Sequence, residues 1–369
     1  MAASLPPYRA DHVGSLLRPQ SVLQARDDLA AGRIGAAELS AIEDDAIREV
    51  VRMQEDVGLQ AATDGEFRRG SWHMDFIYQL GGVDKSDETL RIEMRNDDEE
   101  IAFETAALKI GKLGLPRTIF ADDFTFLKDT TKLTPKLTVP SPSMVHYRGG
   151  PAAIDHSVYP TMDEFWDDLS AAYAKQVSGL AELGCTYLQF DDTSLAYLND
   201  PAERAKLTAR GDDAEHQHLR YIKQINAALA GRPPSMRVTT HMCRGNFRSS
   251  WAAEGSYDFV AEALFTELAV DGFFLEYDDA RSGGFEPLRF VPKEKVVVLG
   301  LVTSKRPQLE RKDELKRRID EAAKFVPLDQ LCLSPQCGFS STVEGNVLSY
   351  DDEVAKLRLV VDVANDVWG

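Results

Sequence analysis

The chain has 369 residues and a net charge of −18, with 43% hydrophobic and 28% charged residues. An acid excess of that size excludes a nucleic-acid surface and a polybasic membrane anchor, both of which need clustered Lys and Arg. The longest apolar run, Val296–Val302, is seven residues counting Gly300, against the ~20 that a membrane helix requires.

Short apolar runs alternate with helix-patterned segments along the whole chain. A first strand is expected over 9–15, although Asp11 and His12 interrupt its apolar character. A helix follows over 37–58, where Leu39, Ile42, Ala46, Ile47, Val50 and Met53 recur at helical spacing. A second strand covers 59–65. Residues 84–130 break the rhythm. They begin charge-rich (Lys85-Ser-Asp-Glu88, Arg95-Asn-Asp-Asp-Glu-Glu100) and then alternate apolar residues. This stretch reads as an insertion with a β-hairpin, seated over one end of the fold. A third strand lies over 136–140. Thr161-Met-Asp-Glu164 is a capping box that opens a helix to about residue 183, stopped by Gly184. Strands over 186–190, 236–241, 272–277, 296–301 and 331–334 then alternate with helices over 212–229, 251–268, 306–325 and 350–367.

Strands separated by helices imply right-handed βαβ units and a parallel sheet. Eight of them suggest a closed (β/α)₈ barrel with a hairpin insertion after strand two; an open doubly wound sheet is the other architecture of this pattern. No linker-like tract divides the chain, so residues 1–369 are expected to form one catalytic barrel domain with its insertion at about 84–130.

In such a barrel, reactive groups come from the C-terminal ends of strands. Many strands here end in polar residues: His12-Val-Gly-Ser15, Thr63-Asp-Gly-Glu66, Phe190-Asp191-Asp192, His241-Met-Cys243-Arg244, Leu275-Glu276 and Ser334-Pro-Gln-Cys337-Gly338. The sharpest subset is His241, Cys243, Glu276 and Cys337. Zinc takes imidazole, thiolate and carboxylate donors in a tetrahedron, and His-x-Cys on an extended strand end puts both side chains on one face. The bland alternative is a polar core histidine beside inert buried thiols. A Cys332/Cys337 redox pair is disfavoured by strand alternation and by Pro335. With four cysteines and no basic n-region before an apolar stretch at the start, the chain is expected to be cytoplasmic with its thiols reduced.

Two thiolates and a carboxylate outweigh Zn²⁺ by one negative charge. Such a site is a weak electrophile for carbonyls but suits a substrate thiol that must be ionised and still nucleophilic. Alkyl transfer to sulfur is the reaction class that follows. His73 and His146 are candidates for a proton donor or donor-pocket lining, His216 and His218 read as solvated, and Arg68, Arg69, Arg244 and Arg281 as rim cations or partners of the abundant acids. Asp191-Asp192 reads either as an acid/base pair or as a helix cap.

These residues resemble the cobalamin-independent methionine synthases and their shorter relatives, over most of the chain and corresponding to that family's catalytic C-terminal barrel. His241-Met-Cys243, Glu276 and Ser334-Pro-Gln-Cys337-Gly338 are similar to its zinc-ligand motifs. The resemblance implies Zn²⁺ as cofactor and homocysteine as the thiol substrate. It implies Gly14, Ser15, Glu66 and Asp191 as the substrate-binding residues, with the two acids on the ammonium and backbone N–H groups near Ser15 on the carboxylate. The chain departs from the folate-using members in three places. Val139-Pro-Ser-Pro-Ser143 stands where they carry an Asn-Trp-Ser segment, Asp191-Asp192-Thr193 where they carry Asp-Glu-Pro, and Thr303 where they carry a catalytic histidine. The general acid is therefore left unassigned. A methyl-donor protein or a corrinoid is an expected partner in place of methyltetrahydrofolate. Two other readings accompany this one: alkyl transfer to another thiol, as in epoxyalkane:coenzyme M transferases, and a non-catalytic zinc-bearing protein that binds a sulfur amino acid.

Overall fold

The computed structural model describes residues 5–96 and 100–369. Its strands are β1 (Ala61–Ala62), β2 (Gly81–Arg95), β3 (Glu100–Gly114), β4 (Thr134–Pro140), β5 (Tyr187–Asp192), β6 (Arg237–Met242), β7 (Gly272–Glu276), β8 (Val296–Val302) and β9 (Leu331–Pro335). Seven of them form one parallel sheet in the order β1-β4-β5-β6-β7-β8-β9. From β5 onward nearly every strand residue is buried. That is why these strands read as continuous apolar runs and not as alternation: helices cover the outer face and side chains fill the inside.

The remaining position of the barrel belongs to the N-terminal segment, reduced to one parallel bridge between Ala10 and Leu333. Asp11 N–H donates to the Leu333 carbonyl at 3.0 Å, and Leu333 N–H to Arg9 at 2.9 Å. The ladder stops there because the next residue is charged and turns inward. The Asp11 carboxylate takes the buried Lys136 ammonium at 3.1 Å and the Tyr187 hydroxyl at 2.8 Å. Toward β1 the connection runs through the loops: Thr63 Oγ1 donates to the Gly14 carbonyl at 2.6 Å and Leu16 N–H to Gly65 at 3.1 Å. The fold is thus a (β/α)₈ barrel whose first strand is vestigial.

The helices obey their sequence signals. Ala36–Val57 buries Ala46, Ile47, Val50 and Met53 and ends on Gly58 at φ +92°, the left-handed cap that glycine adopts without a Cβ penalty. Met162–Glu182 opens on the expected Thr161/Glu164 capping box, and Tyr350–Trp368 on a second one, Ser349/Asp352. The 251–268 segment differs from expectation. It holds only a short 3₁₀ turn (Tyr257–Phe259) and the helix Ala261–Glu267. Its first residues are committed elsewhere: Trp251 exchanges two 2.8 Å backbone hydrogen bonds with Arg95. That bridge docks the β2–β3 hairpin, which begins at Gly81, onto the loop following β6. Phe103 of β3 stacks on Phe247 of that loop at 4.5 Å between ring centroids. The hairpin consequently lies across the C-terminal mouth of the barrel. No helix of the described residues is long and apolar enough to cross a membrane.

Candidate metal centre and adjoining cavity

Parallel register aligns the ends of neighbouring strands. Asp191 of β5 lies beside His241 of β6, and Glu276 of β7 beside Gly300 of β8, which pairs with Ser334 of β9. Cys243 and Cys337 follow β6 and β9 by one and two residues. Gly300 is required at this level: a Cβ there would come within 2.8 Å of the Gln336 Cα and the Leu275 carbonyl.

His241, Cys243, Glu276 and Cys337 converge as the sequence pattern predicts, each offering a ligand atom within 4.8 Å of the others, and all four are buried. The two sulfurs are 3.7 Å apart. A disulfide would hold them at about 2.05 Å. A tetrahedral zinc with ~2.3 Å Zn–S bonds would hold them about 3.8 Å apart. His241 Nε2 lies 3.8 Å from Glu276 Oε1. Both ring nitrogens of His241 and Glu276 Oε2 are buried without a hydrogen-bond partner among the described residues. Buried polar atoms left so are costly. A cation taking one atom from each of the four residues relieves Glu276 and one nitrogen of His241, so the residues present fit a tetrahedral metal ion.

The electrostatics agree. The Cys243 S–H held against it, and His241 beyond, keep the Cys337 thiol well below the ordinary thiol range. The hydrogen bond to Cys337 and burial push the Cys243 thiol well up. Burial raises Glu276. The remaining thiols behave differently: Cys185 and Cys332 are pushed up to about 12 by burial, and all four cysteines are free. Cys332 packs with Val13, Phe274 and Val298 inside the barrel.

A cavity of about 470 Å³ opens over the cluster, with Ser15, Glu66, Asp191, His241, Cys243 and Cys337 at its floor. Glu66 sits at φ +61°, a left-handed conformation rare outside glycine. Its Oε1 accepts from Thr138 Oγ1 at 2.7 Å, while Oε2 is buried with no hydrogen-bond partner among the described residues. Gly14 shapes the floor from behind. At φ +144°, a Cβ on it would stand 2.6 Å from Thr138 Cγ2 and 3.5 Å from Glu66 Oε1. Asp191 accepts from Gln189 Nε2 at 2.7 Å. Burial pushes its carboxyl up to about 7, with the Glu66 charge adding to the rise. Glu66 is raised in the same way, by burial first, against the pull of Arg69.

Other candidates fall outside the cavity. Asp192 is saturated: its two oxygens accept from the hydroxyls of Ser141, Ser143 and Ser194 and from Leu195 N–H. It is a fold-holding carboxylate and not an acid/base group. His146 is buried in the helical layer, bonded to Tyr221 Oη at 3.0 Å and packed on Trp166. His216 pairs with Asp213 at the surface, and His218 packs on Phe259. Arg68 pairs with Asp44, Glu43 and Asp123, Arg69 with Glu66, and Arg281 with Asp278 and Asp279. Arg244 is buried over the Tyr257 ring at 4.5 Å. Thr303 lines a separate groove with Lys305 and Arg248. His73, by contrast, lines the cavity over the cluster. The hairpin expected over one end of the barrel is the roof of this cavity, but which residues form it was not legible: Ile92, Met94 and Phe103 of the hairpin and Phe247 of the β6 loop close the cavity from above, and only the hairpin's long-range docking reveals them.

The family model for the cobalamin-independent synthase catalytic domain matches residues 10–366. YxjH of Bacillus subtilis, an uncharacterised protein, is 47% identical over 98% of this chain and 95% of its own length. The methionine synthase of Pyrococcus abyssi is 23% identical, over 90% of this chain and 87% of its own. Among solved structures, a Listeria monocytogenes protein assigned to the vitamin-B12 independent methionine synthases superposes with a TM-score of 0.79, at 36% identity and full coverage of both chains. A Shewanella B12-independent methionine synthase in complex with selenomethionine shares the fold, with a TM-score of 0.72 at 20% identity over 97% of each chain. With the four-donor cluster on the barrel rim and a family model spanning nearly its whole length, the chain belongs to the cobalamin-independent methionine synthase family, as a copy of its catalytic domain.

Proposed function

We propose that this protein is a zinc-dependent S-methyltransferase that converts homocysteine to methionine. The observation that carries the reading is the juxtaposition, in one cavity, of a tetrahedrally spaced His/Cys/Glu/Cys cluster and two buried carboxylates, Glu66 and Asp191. His241, Cys243, Glu276 and Cys337 would hold the zinc. A zinc ion there supplies the Lewis acidity that lowers the pKa of an incoming thiol, muted by two thiolates and a carboxylate so that the sulfur stays nucleophilic.

The chain's own residues do the rest. The Glu66 charge adds to burial in raising the proton affinity of Asp191. A substrate ammonium between them relieves that repulsion and forms charge-assisted hydrogen bonds. The Ser15 N–H receives the substrate carboxylate, and Gly14, with no Cβ, lets the 14–16 loop close against Thr138 and Glu66. This places the amino-acid end on the acidic floor and the thiol end at the cluster. The hairpin roof limits water around the reacting sulfur, where electrostatic terms then gain strength. The same pair of buried acids weighs against a sulfonate thiol as acceptor, because its anionic head would meet two carboxylates.

The deciding experiment titrates zinc-loaded protein with homocysteine and, separately, with coenzyme M, by calorimetry. Homocysteine binding at least tenfold tighter supports the reading. Equal affinity for the two thiols contradicts it.

A further inference from the structure

The cavity holds a second imidazole besides that of His241. Thr303 stands after β8, but it faces the neighbouring groove; its N–H donates to Glu310 Oε1 at 2.8 Å. A histidine missing from that position therefore does not empty the cavity of titratable groups. His73 is the imidazole that, with His241, lines the cavity. It sits at the start of the short helix Met74–Ile77, with its ring tilted against Trp72, 4.4 Å between centroids. Its Nδ1 is hydrogen-bonded to Ser71 Oγ at 3.1 Å, and Ser71 Oγ in turn accepts the Met74 N–H. No described residue bonds Nε2, and that atom is not among the buried unsatisfied ones. The ring is thus fixed through one nitrogen and has the other available to the cavity.

Resting on the methyltransferase reading above, we propose that His73 is a catalytic proton relay between the acceptor thiol and the methyl donor's leaving atom. In the first half, His73 Nε2 takes the proton from the acceptor S–H as the sulfur ionises. In the second, the sulfur lone pair forms the S–CH₃ bond, and the bond between CH₃ and the donor's nitrogen or oxygen breaks. The bond electrons stay on that heteroatom, and His73 returns the proton to it. The sum is RSH + CH₃–X → RSCH₃ + HX, with the imidazole neutral at start and finish.

Burial, and then the Arg148 charge, holds the His73 imidazole well below its ordinary range, so it rests as a base at neutral pH. Once protonated in the closed cavity it is a strong acid toward a departing amine or alkoxide. The negative charge of the newly ionised sulfur is what makes the intermediate imidazolium affordable.

The test is a proton count that needs no methyl donor. Homocysteine is titrated into zinc-loaded parent, His73→Gln and Thr303→Ala proteins at pH 7, by calorimetry in buffers of different ionisation enthalpy. In the parent and in Thr303→Ala, the thiol proton stays on His73. In His73→Gln it appears in the buffer, so net release per homocysteine rises by about one above the parent's, the protons that Asp191 gives up to the bound ammonium being common to all three proteins; homocysteine affinity is retained within severalfold. Should His73→Gln fold poorly, His73→Asn carries the same prediction. Equal release from parent and His73 variants overturns the relay while leaving thiol activation standing. No homocysteine binding by any of the proteins overturns the methyltransferase reading, and the relay with it.

Discussion

Asp191→Asn separates binding from stability. In the native protein the Asp191 carboxyl is buried, accepts one neutral hydrogen bond from Gln189, and shares its surroundings with Glu66, so that burial lifts it to about 7. An amide of the same shape removes a buried charge that the free protein holds at a cost. The free variant is therefore expected to melt at the parent's temperature or slightly above it. Homocysteine binding should move the other way. A charge-assisted hydrogen bond contributes ~1.5–3 kcal/mol, which at ~1.4 kcal/mol per decade is roughly a 10- to 150-fold weaker dissociation constant. Zinc content should not change, since Asp191 is not among the four converging donors. The assay is calorimetric titration with homocysteine beside a thermal melt of each protein. Loss of binding that tracks a fall in melting temperature would show that Asp191 serves the fold and refute the reasoning; so would homocysteine binding within twofold of the parent.

Cys243→Ser and Cys337→Ser should each lose zinc while keeping the fold, because both follow their strands on the rim; metal analysis with circular dichroism checks this, and full zinc occupancy contradicts it. Gly14→Ala should cost about 1–3 kcal/mol of stability, since its Cβ would meet Thr138 Cγ2 at 2.6 Å with φ at +144°; denaturant unfolding measures it, and a neutral result would show that the loop relaxes freely. His146 carries a pH signature. Burial, and then the Arg210 charge, lowers its pKa from 6.5 to about 3, so between those values the unfolded chain is protonated and the native one is not. The stability it lends is complete above pH 6.5 and is lost as pH falls toward 3, at up to ~1.4 kcal/mol per pH unit. His146→Gln should flatten that part of the stability–pH curve, and an unchanged slope would count against the assignment.

The barrel was legible because each parallel strand is buried on both faces and so stands out as an apolar run between amphipathic helices. The four-donor cluster was legible for a related reason: on a barrel rim, a ligand-type residue at or just past a strand end has few other places to point, and His241 and Glu276 stand near the ends of the adjacent strands β6 and β7, with Cys243 and Cys337 one and two residues beyond β6 and β9. What the sequence could not reveal were contacts between segments far apart in the chain. Trp251 continues a helical pattern, yet its backbone pairs with Arg95. The first strand looked extended, yet Asp11 leaves the ladder for Lys136 and Tyr187. His73 and His146 have similar local settings, each beside aromatic residues, but one lines the cavity and the other is sealed behind it against Trp166. Nor does Thr303 reveal from its neighbours which of two adjoining hollows it faces.

The central claim is that a substrate thiol reaches the His241/Cys243/Glu276/Cys337 cluster as a metal ligand. Zinc-edge X-ray absorption of the loaded protein, recorded before and after homocysteine is added, tests it directly. The account predicts two sulfur neighbours at ~2.3 Å before addition and three after. A spectrum with two sulfurs in both states, under conditions where calorimetry shows homocysteine bound, would contradict it.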